Sequence, residues 1–271
     1  MTEEDVYWGS MLSIGEMIRS GVTTFADMYF YMEKTAEAVE LSGIRAALSM
    51  GMAASDAGEA REKSSRLEEF HTQWNGTAGG RIRVDAGPHA VYTCSPEALE
   101  EFAAAARELD CGVHIHLSET EGEVGEAREK YGLSPVEIAD QAGLFESPTI
   151  AAHCVWVDEK DLDILSRKRV KVVHNPTSNL KLGSGVSRID RQIAKGIQLA
   201  LGTDGSASNN NLNMFEEMHL AALMHKGVRE DPTLMPAQQV LYMATAGGAE
   251  ALGLEKDIGS IEPGKKADLI L

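Results

Sequence analysis

The feature that most constrains the fold is a repeated alternation of short apolar runs with amphipathic segments. Runs rich in β-forming residues recur about seven times along the chain, and segments with helical periodicity lie between most of them. Short connections of this kind demand parallel strands joined by right-handed crossovers. Two architectures satisfy the pattern, an open doubly wound sheet and a (β/α)8 barrel.

The polar residues that end these runs favour the barrel. A polar residue follows one apolar run after another, namely Asp27, His89, His116, His153, His174 and Asp204. An open sheet gathers its ligands at one switch point that few loops serve. A barrel brings all its strand ends to one rim, where barrel enzymes keep their active sites. We therefore expect an α/β fold, a TIM-type (β/α)8 barrel, over residues 1–254.

The segment richest in chemistry is His114-Ile115-His116-Leu117-Ser118-Glu119. Alternation along a strand places His114 and His116 on one side, and Glu119 follows where the chain has left the strand. An imidazole at a strand end can hold a divalent ion, and a carboxylate just beyond it can move protons for bound water. Because such a pair is as often two buried core histidines, the hypothesis depends on the other polar strand ends.

His116, His153 and Asp204 form the candidate metal and catalytic group. Catalytic zinc takes nitrogen, oxygen or sulfur ligands and keeps one position open to water. A barrel rim can supply His116 and Asp204 from opposite sides of its mouth, and His153 lies between them along the chain. The alternative interpretation is a set of core histidines that bind no ligand.

Other candidate residues are given structural roles. His174-Asn175-Pro176 has the pattern of a turn whose polar side chains hold the loop, so we expect a supporting role for His174. The glycines on either side of Ser184 lack the third glycine and the βαβ start of a dinucleotide site. Lys171 could form a Schiff base in principle, but nothing nearby argues for its desolvation. Three histidines in helical stretches are expected at the surface: His71, His219 and His225.

Composition excludes several classes of partner. The net charge of −17 repels nucleic acids and anionic membranes, so neither is expected to bind. The 3 cysteines are odd in number and fit free thiols in a reducing compartment. The acidic start of the chain differs from a signal peptide, and no apolar run is long enough to span a bilayer. These features predict a cytoplasmic protein.

Six runs, in order along essentially the whole chain, match the pattern of one known group of enzymes. They lie at residues 20–29, 87–89, 114–119, 152–154, 174–182 and 201–210. These runs resemble the amidohydrolase superfamily, in particular its 5'-methylthioadenosine/S-adenosylhomocysteine deaminase branch, which also includes chlorohydrolase-like proteins. The last two runs are the most specific.

The resemblance implies a role for each matching residue. His116 and Asp204 match the metal-binding residues that follow the family's fifth and eighth strands. Glu119 matches the proton shuttle, and His153 matches the histidine that contacts the attacking water or the tetrahedral intermediate. His89 matches a substrate-contacting histidine. The cofactor implied is one divalent ion, Zn²⁺ first, with Fe²⁺ and Mn²⁺ suiting the same ligands.

The resemblance also implies the substrate and the reaction. The expected activity is hydrolytic deamination of an adenosine-type nucleoside to the inosine analogue and ammonia. Substrate-binding candidates besides His89 and Glu119 are Ser208 and Arg66. Met50 stands where this branch uses an arginine to grip an amino-acid carboxylate, which favours an uncharged tail, although Arg61 or Arg66 could still supply a positive charge. Self-association into a homo-oligomer is left open.

One departure from the branch's pattern affects the expected fold and function. The branch also binds its metal through a His-x-His motif after its first strand, and no such motif precedes Asp27. We therefore expect a barrel lacking its first strand, with residues 255–271 as the start of a small β-sandwich. Two alternatives to the nucleoside deaminase remain. One is another amidohydrolase activity, on guanine, a triazine or a chlorinated ring, and the other is a non-catalytic fragment that cannot complete its metal site.

Overall fold

Seven parallel strands lie side by side in chain order in the computed structural model, which describes residues 1–270. They are β1 (Thr24–Tyr29), β2 (Arg45–Met52), β3 (Ile82–Pro88), β4 (Val113–Leu117), β5 (Thr149–His153), β6 (Lys171–His174) and β7 (Leu199–Leu201). The register sets His116 of β4 opposite Ala152 of β5. A strand order equal to the chain order is that of a barrel, because a doubly wound sheet reverses its order at the switch point.

The sheet curls until its first and last strands face one cavity. Phe25 of β1 and Leu201 of β7 both line that cavity. Within residues 1–270, β1 pairs only with β2, and β7 pairs only with β6. The predicted barrel architecture is thus confirmed in the order, direction and curvature of its strands, of which the described residues supply seven.

Helices separate the strands along the chain, as the alternation predicts. They are α1 (Glu3–Arg19), α2 (Met32–Ser42), α3 (Ala57–Trp74), α4 (Thr77–Gly80), α5 (Pro96–Glu108), α6 (Glu121–Tyr131), α7 (Pro135–Gln141), α8 (Glu159–Lys168), α9 (Pro176–Lys181), α10 (Ile189–Ala194), α11 (Ser206–Asn209), α12 (Met214–Arg229), α13 (Ala237–Ala244) and α14 (Ala246–Ala251). A 3₁₀ turn at Leu144–Glu146 precedes β5. No helix within residues 1–270 has both the length and the apolar character needed to cross a bilayer.

Local side chains fix where several helices begin. Ser134 accepts a hydrogen bond from the backbone N–H of Glu137, whose carboxylate accepts one from the N–H of Ser134. A serine three residues before a glutamate, as in Ser134-Pro135-Val136-Glu137, predicts this capping box from the sequence. Thr2 and Asp158 begin α1 and α8 with the same device. Each such cap stabilises the fold by about 1 kcal/mol.

Three features of the fold differ from the prediction. The sequence predicts one helix over residues 236–252, but that helix is broken at Thr245, whose φ of −125° and ψ of −92° divide α13 from α14. Residues 174–176 are more than a turn, because Pro176 begins α9 and proline suits the first helical position. Helix α6 was not predicted, since Val124 and Ala127 are its only buried apolar residues.

Residues 255–270 contain no strand and lie against the side of the sheet where β1 is found. Arg45 of β2 and Asp268 form an ion pair with an Nη2–Oδ2 distance of 2.9 Å. Ile258 and Ile270 contribute apolar side chains to the wall of the cavity. The assignment of this segment to the start of a β-sandwich stays a prediction.

Candidate active site

The carboxyl ends of the strands open into a cavity of about 1210 Å³. Its wall includes most of the strand-end residues predicted to matter, namely Asp27, His89, His116, His153 and Asp204, together with Ser208. Glu119 lies beside this wall, with Oε2 3.8 Å from Nε2 of His153. The structure therefore brings these side chains to one rim, as a barrel requires, while their chemical roles stay predictions.

His116 is held in the form that can bind a metal ion. Its Nδ1–H donates to the carbonyl oxygen of His89 at 2.9 Å, so the lone pair of Nε2 remains free. Burial lowers its pKa, and the neighbouring His153 acts in the same direction, whereas the hydrogen bond to His89 opposes them. The imidazole is consequently neutral at neutral pH, which a metal ligand requires.

Asp204 is fixed through both of its carboxylate oxygens. Oδ2 accepts a hydrogen bond from Ser178 Oγ at 2.6 Å, and Oδ1 accepts one from the backbone N–H of Gly205 at 2.6 Å. The φ of Asp204 is +60°, a left-handed conformation that non-glycine residues adopt mainly where the surroundings impose it. A Cβ on Gly202 would lie 2.9 Å from Nδ2 of Asn175, so only glycine allows this close approach before Asp204.

Glu119 is oriented at both its side chain and its backbone. Oε1 accepts a hydrogen bond from Ser184 Oγ at 2.9 Å. The backbone N–H groups of Ser118 and Glu119 donate to the buried carboxylate of Glu123 at 3.1 and 2.7 Å. Burial raises the pKa of Glu123, and the N–H groups that it accepts from hold the pKa down. Glu123 thus fixes the turn that points Glu119 at the cavity.

His153 is almost fully enclosed, and its ring has one defined orientation. It is 2% exposed, and its φ of +74° is left-handed. Its Nδ1 donates to Asn179 Oδ1 at 2.8 Å, which leaves Nε2 towards Glu119. Its ring stacks on that of His116, with 5.7 Å between the ring centroids. The strained backbone and the fixed ring are features that concentrate at functional sites.

His89 lies beside the metal-ligand candidate at the mouth of the cavity. Its ring centroid is 5.0 Å from that of His116 and 5.7 Å from that of Tyr92, which lies edge-on to it. Its Nδ1 and Thr93 Oγ1 are 3.0 Å apart, within hydrogen-bond distance. Burial lowers its pKa, against the opposing charge of Glu119. A neutral imidazole with one free ring nitrogen can contact a polar ligand here.

Ser208 and Arg66, two of the substrate-binding candidates, differ in their position relative to the cavity. Ser208 lines the cavity, whereas Arg66 is exposed on α3 and is absent from the cavity wall. The same helix brings Lys63 to the wall instead, where its ammonium is paired with Glu59 at 2.8 Å. Arg61 is engaged at the surface in an ion pair with Glu101. Lys63 is thus the cation of α3 that lies at the cavity wall, and a substrate-binding role for Arg66 stays a prediction.

His225 corrects one expectation from the sequence. It was expected at the surface, but it is 2% exposed, and its Nε2 lies 3.0 Å from Nε2 of the fully buried His174. His219 is exposed as expected, and His71 is half-buried. The imidazole pair joins the end of β6 to α12, which gives His174 the supporting role that the sequence predicts.

Acidic pH should destabilise the fold through the His174–His225 pair. Burial lowers the pKa of both imidazoles, that of His225 to about 4. In the unfolded chain each titrates near about 6.5, so between these values the unfolded state binds more protons. The free energy of unfolding should therefore fall as the pH is lowered from about 6.5 towards 4. Urea denaturation at pH 7.5 and pH 5 measures the change.

The matched control for this prediction is His225→Gln. A glutamine amide can still hydrogen-bond to His174 but does not titrate, so the variant should lose less stability between the two pH values. An equal loss in both proteins would show that other groups cause the pH dependence.

The residues at the site are of the types that bind metal ions, but too few of them are grouped together to complete a catalytic metal site. His116 offers a free Nε2, and Asp204 offers a carboxylate. However, no group of three or more His, Cys, Asp or Glu side chains within residues 1–270 is arranged to hold a metal ion. Catalytic zinc sites use three protein ligands. His114 lines the cavity, and its buried Nδ1 has no hydrogen-bond partner in the described structure, but it does not complete such a group.

This incomplete ligand set predicts weak metal binding by the 271-residue chain. Two ligands hold a divalent ion less tightly than three, so zinc added to the purified chain should be lost on brief dialysis against a mild chelator. Metal content per chain, measured before and after dialysis, is the readout. Stoichiometric zinc after dialysis would mean that a further ligand lies within the chain.

Comparison with known proteins agrees with this arrangement. The sequence model of the amidohydrolase family matches residues 1–271. A 5-methylthioadenosine/S-adenosylhomocysteine deaminase from Caldanaerobacter subterraneus subsp. tengcongensis is 53% identical over 272 residues, which cover 100% of this chain and 63% of that protein. One from Acetivibrio thermocellus is 52% identical over 271 residues, with the same coverage of 100% and 63%. The chain thus spans about 63% of the length of these relatives.

A solved structure shows the same fold. The crystal structure of an adenosine deaminase from Xanthomonas campestris with bound zinc superposes with a TM-score of 0.92 at 37% identity, covering 98% of this chain and 61% of that one. The fold, the strand-end residues and a family match over the whole chain agree with one another. This chain belongs to the amidohydrolase family.

Proposed function

We propose that this chain carries the reaction centre of a hydrolase that deaminates an adenosine-type nucleoside, such as 5'-methylthioadenosine, S-adenosylhomocysteine or 5'-deoxyadenosine. The observation that carries the proposal is the meeting of Glu119, His153 and Asp204 at one cavity mouth, each held by hydrogen bonds. The similarity to proteins named as deaminases of this kind supports it.

We further propose that the reaction uses one divalent ion, Zn²⁺ first, with Fe²⁺ and Mn²⁺ compatible with the same donors. His116 through Nε2 and Asp204 through its carboxylate would hold it, together with further donors. When bound, such an ion supplies Lewis-acid activation of water. The bound zinc of the Xanthomonas campestris structure supports the choice of metal.

Glu119 is suited to move protons in this reaction. Its Oε1 is occupied by the hydroxyl of Ser184, so Oε2 on the His153 side is the oxygen free to exchange a proton. A carboxylate in this position can take a proton from the attacking water and deliver one to the ring nitrogen of the purine. Protonation of that nitrogen makes the amine-bearing carbon electrophilic, and ammonia then leaves.

The neighbouring side chains hold the reactants in place. Nε2 of His153, fixed by the bond from Nδ1 to Asn179, can hydrogen-bond the oxygen that adds to the purine. His89 and Ser208 lie at the cavity wall, where they can contact the nucleoside. The cavity of about 1210 Å³ extends from these strand ends to Gly21 and Ile270, and the part beside His89 and Ser208 is where a nucleoside would bind.

The charges at the wall favour a substrate with an uncharged tail. Lys63 is the cation that α3 brings to the cavity, but its ammonium is already neutralised by Glu59 and donates to the carbonyl oxygen of Ala53. Met50 packs in the hydrophobic core outside the cavity wall, and it carries no charge at the position where the resembled branch has an arginine. We therefore propose that 5'-methylthioadenosine or 5'-deoxyadenosine is preferred to S-adenosylhomocysteine.

A substrate panel tests the proposal. A protein that contains this chain would be assayed with zinc in the buffer for ammonia release from 5'-methylthioadenosine, S-adenosylhomocysteine, 5'-deoxyadenosine and guanine, and for chloride release from atrazine. We expect turnover of the adenosine-type nucleosides and little from the other two. Turnover of guanine or atrazine alone would support another amidohydrolase activity, and a folded, metal-loaded protein without any turnover would support the non-catalytic alternative.

A further inference from the structure

One short stretch of chain touches all three side chains proposed for the chemistry. Glu119 and Asp204 follow β4 and β7, and His153 ends β5, yet each bonds to a residue of the range 178–184. The contacts are Ser178 Oγ to Asp204 Oδ2 (2.6 Å), His153 Nδ1 to Asn179 Oδ1 (2.8 Å) and Ser184 Oγ to Glu119 Oε1 (2.9 Å). We call residues 178–184 the positioning segment.

The three residues of the positioning segment that make these contacts are buried, whereas residues 180–183 are exposed to solvent. Ser178, Asn179 and Ser184 are 0%, 1% and 4% exposed. Glu217, a fully buried carboxylate on α12, accepts a hydrogen bond from the backbone N–H of Thr177 at 3.2 Å, directly before the segment. The start of the segment therefore cannot shift without breaking a buried charged contact.

Its other end is anchored by an indole. Trp156 Nε1 donates to the carbonyl oxygen of Ser184 at 2.6 Å, which turns the hydroxyl of Ser184 towards Glu119. Gly185 follows with a φ of +121°, and a Cβ there would lie 3.3 Å from Trp156 Nε1. Only glycine accommodates both this conformation and the close indole.

Asn179 makes a hydrogen bond to His153 with one end of its side-chain amide and none with the other end in the described structure. Its Oδ1 accepts from His153, while its Nδ2 is buried without a partner in the described structure. Buried donors without partners are rare because they lose their hydration. An asparagine with a role only in packing or folding would not need to leave a buried N–H donor without a partner.

We propose that the positioning segment aligns the reaction centre as one unit, with Asn179 and Ser184 as positioning residues for His153 and Glu119. Asn179 fixes the Nδ1-protonated tautomer of His153, so that Nε2 faces the cavity. Ser184 occupies one oxygen of Glu119 and so directs proton exchange to the other. The expected effect on kcat rests on the proposed function, whereas the expected tautomer of His153 does not.

Kinetics of an active, metal-loaded protein that contains this chain test the role of Ser184. Ser184→Ala should lower kcat by roughly 10- to 100-fold with little change in KM, because a hydrogen bond to a charged group is lost while the substrate contacts remain. Ser184→Thr, which retains the hydroxyl, should recover most of the loss. Ser187→Ala is the control, since Ser187 is a buried serine of the same loop that bonds to Cys154 and touches none of the three side chains.

A spectroscopic measurement tests the role of Asn179 without any turnover. Imidazole ¹⁵N shifts report which nitrogen of His153 carries the proton. Asn179→Leu should shift His153 towards the other tautomer, whereas Asn179→Asp, which keeps an acceptor oxygen, should retain the original one. Thermal unfolding of each variant checks that the fold is kept.

The outcomes separate the two proposals. If the unaltered protein deaminates no nucleoside, the proposed function fails, and the tautomer of His153 still decides the inference. If it is active but Ser184→Ala matches Ser187→Ala in kcat, or if His153 keeps its tautomer in Asn179→Leu, the inference is overturned. A fall confined to KM would also overturn it, because the segment would then act on substrate binding.

Discussion

Replacing Glu119 by glutamine should lower kcat for nucleoside deamination by about 10²–10⁴-fold, the range that general acid–base catalysis supplies. The amide is nearly isosteric and can still accept a hydrogen bond from Ser184, so the geometry of the site should be kept. It cannot take a proton from water or pass one to the purine. Steady-state kinetics in an active protein that contains this chain measure the effect.

The control for this result is Glu121→Gln. Glu121 lies two residues further on, is exposed in the first turn of α6 and points to no reacting group. Its kcat should match that of the unaltered protein. Metal content should be equal in all three proteins, because Glu119 is not a ligand in the proposal. A loss below tenfold in Glu119→Gln would assign Glu119 to substrate binding alone.

The architecture was predictable because its signals are local. Apolar runs rich in β-forming residues indicated the strands, and the polar, charged segment that predicts a helix over residues 57–74 forms α3 with those bounds. The strand-end residues then followed from topology, since parallel strands bring their carboxyl ends together. Family resemblance supplied roles for those residues that periodicity alone could not.

Features that depend on tertiary packing are not visible in the local sequence. The position of His225 in α12 does not reveal that His174 faces it across 51 residues of sequence. Similarly, α3 starts near the rim and runs away from it. Lys63 reaches the cavity, whereas Arg66 lies about 4.5 Å further along the axis. Local sequence patterns reveal neither the contact between His174 and His225 nor the position of Lys63 at the cavity.

The positioning residues were missed for a related reason. Ser184 and Glu119 are 65 residues apart, and Asn179 and His153 are 26 apart. The run at residues 174–182 indicated importance but not which side chain it would serve. A single sequence shows which residues end the strands, and only the folded chain shows which residues hold them.

Hydrogen exchange should reveal that the sheet edges of the 271-residue chain are much less protected than its centre. Strand β4 lies between β3 and β5, so the amides of both its sides have ladder partners. In a parallel strand successive amides point to opposite sides, and within residues 1–270 one side of β1 and one side of β7 have no ladder partner. About half the amides of each edge strand should therefore exchange quickly.

The two edges should also differ from each other. Strand β1 is half-exposed along its length, whereas all three residues of β7 are buried. Water therefore reaches the free edge of β1 directly, and we expect its amides to exchange first. Buried groups without partners cost roughly 1–3 kcal/mol each, against a total stability of about 5–15 kcal/mol for a typical domain. The free edge of β7 should consequently favour local opening or pairing with another chain.

Exchange measured by mass spectrometry on this chain, with β4 as the internal reference, decides the matter. Protection factors in β1 should be at least about 100-fold below those of Val113–Leu117, because amides of the core open only with the whole domain. Those of β7 should lie between the two. Edge strands as protected as β4 in a monodisperse monomer would show that the sheet has no free edge.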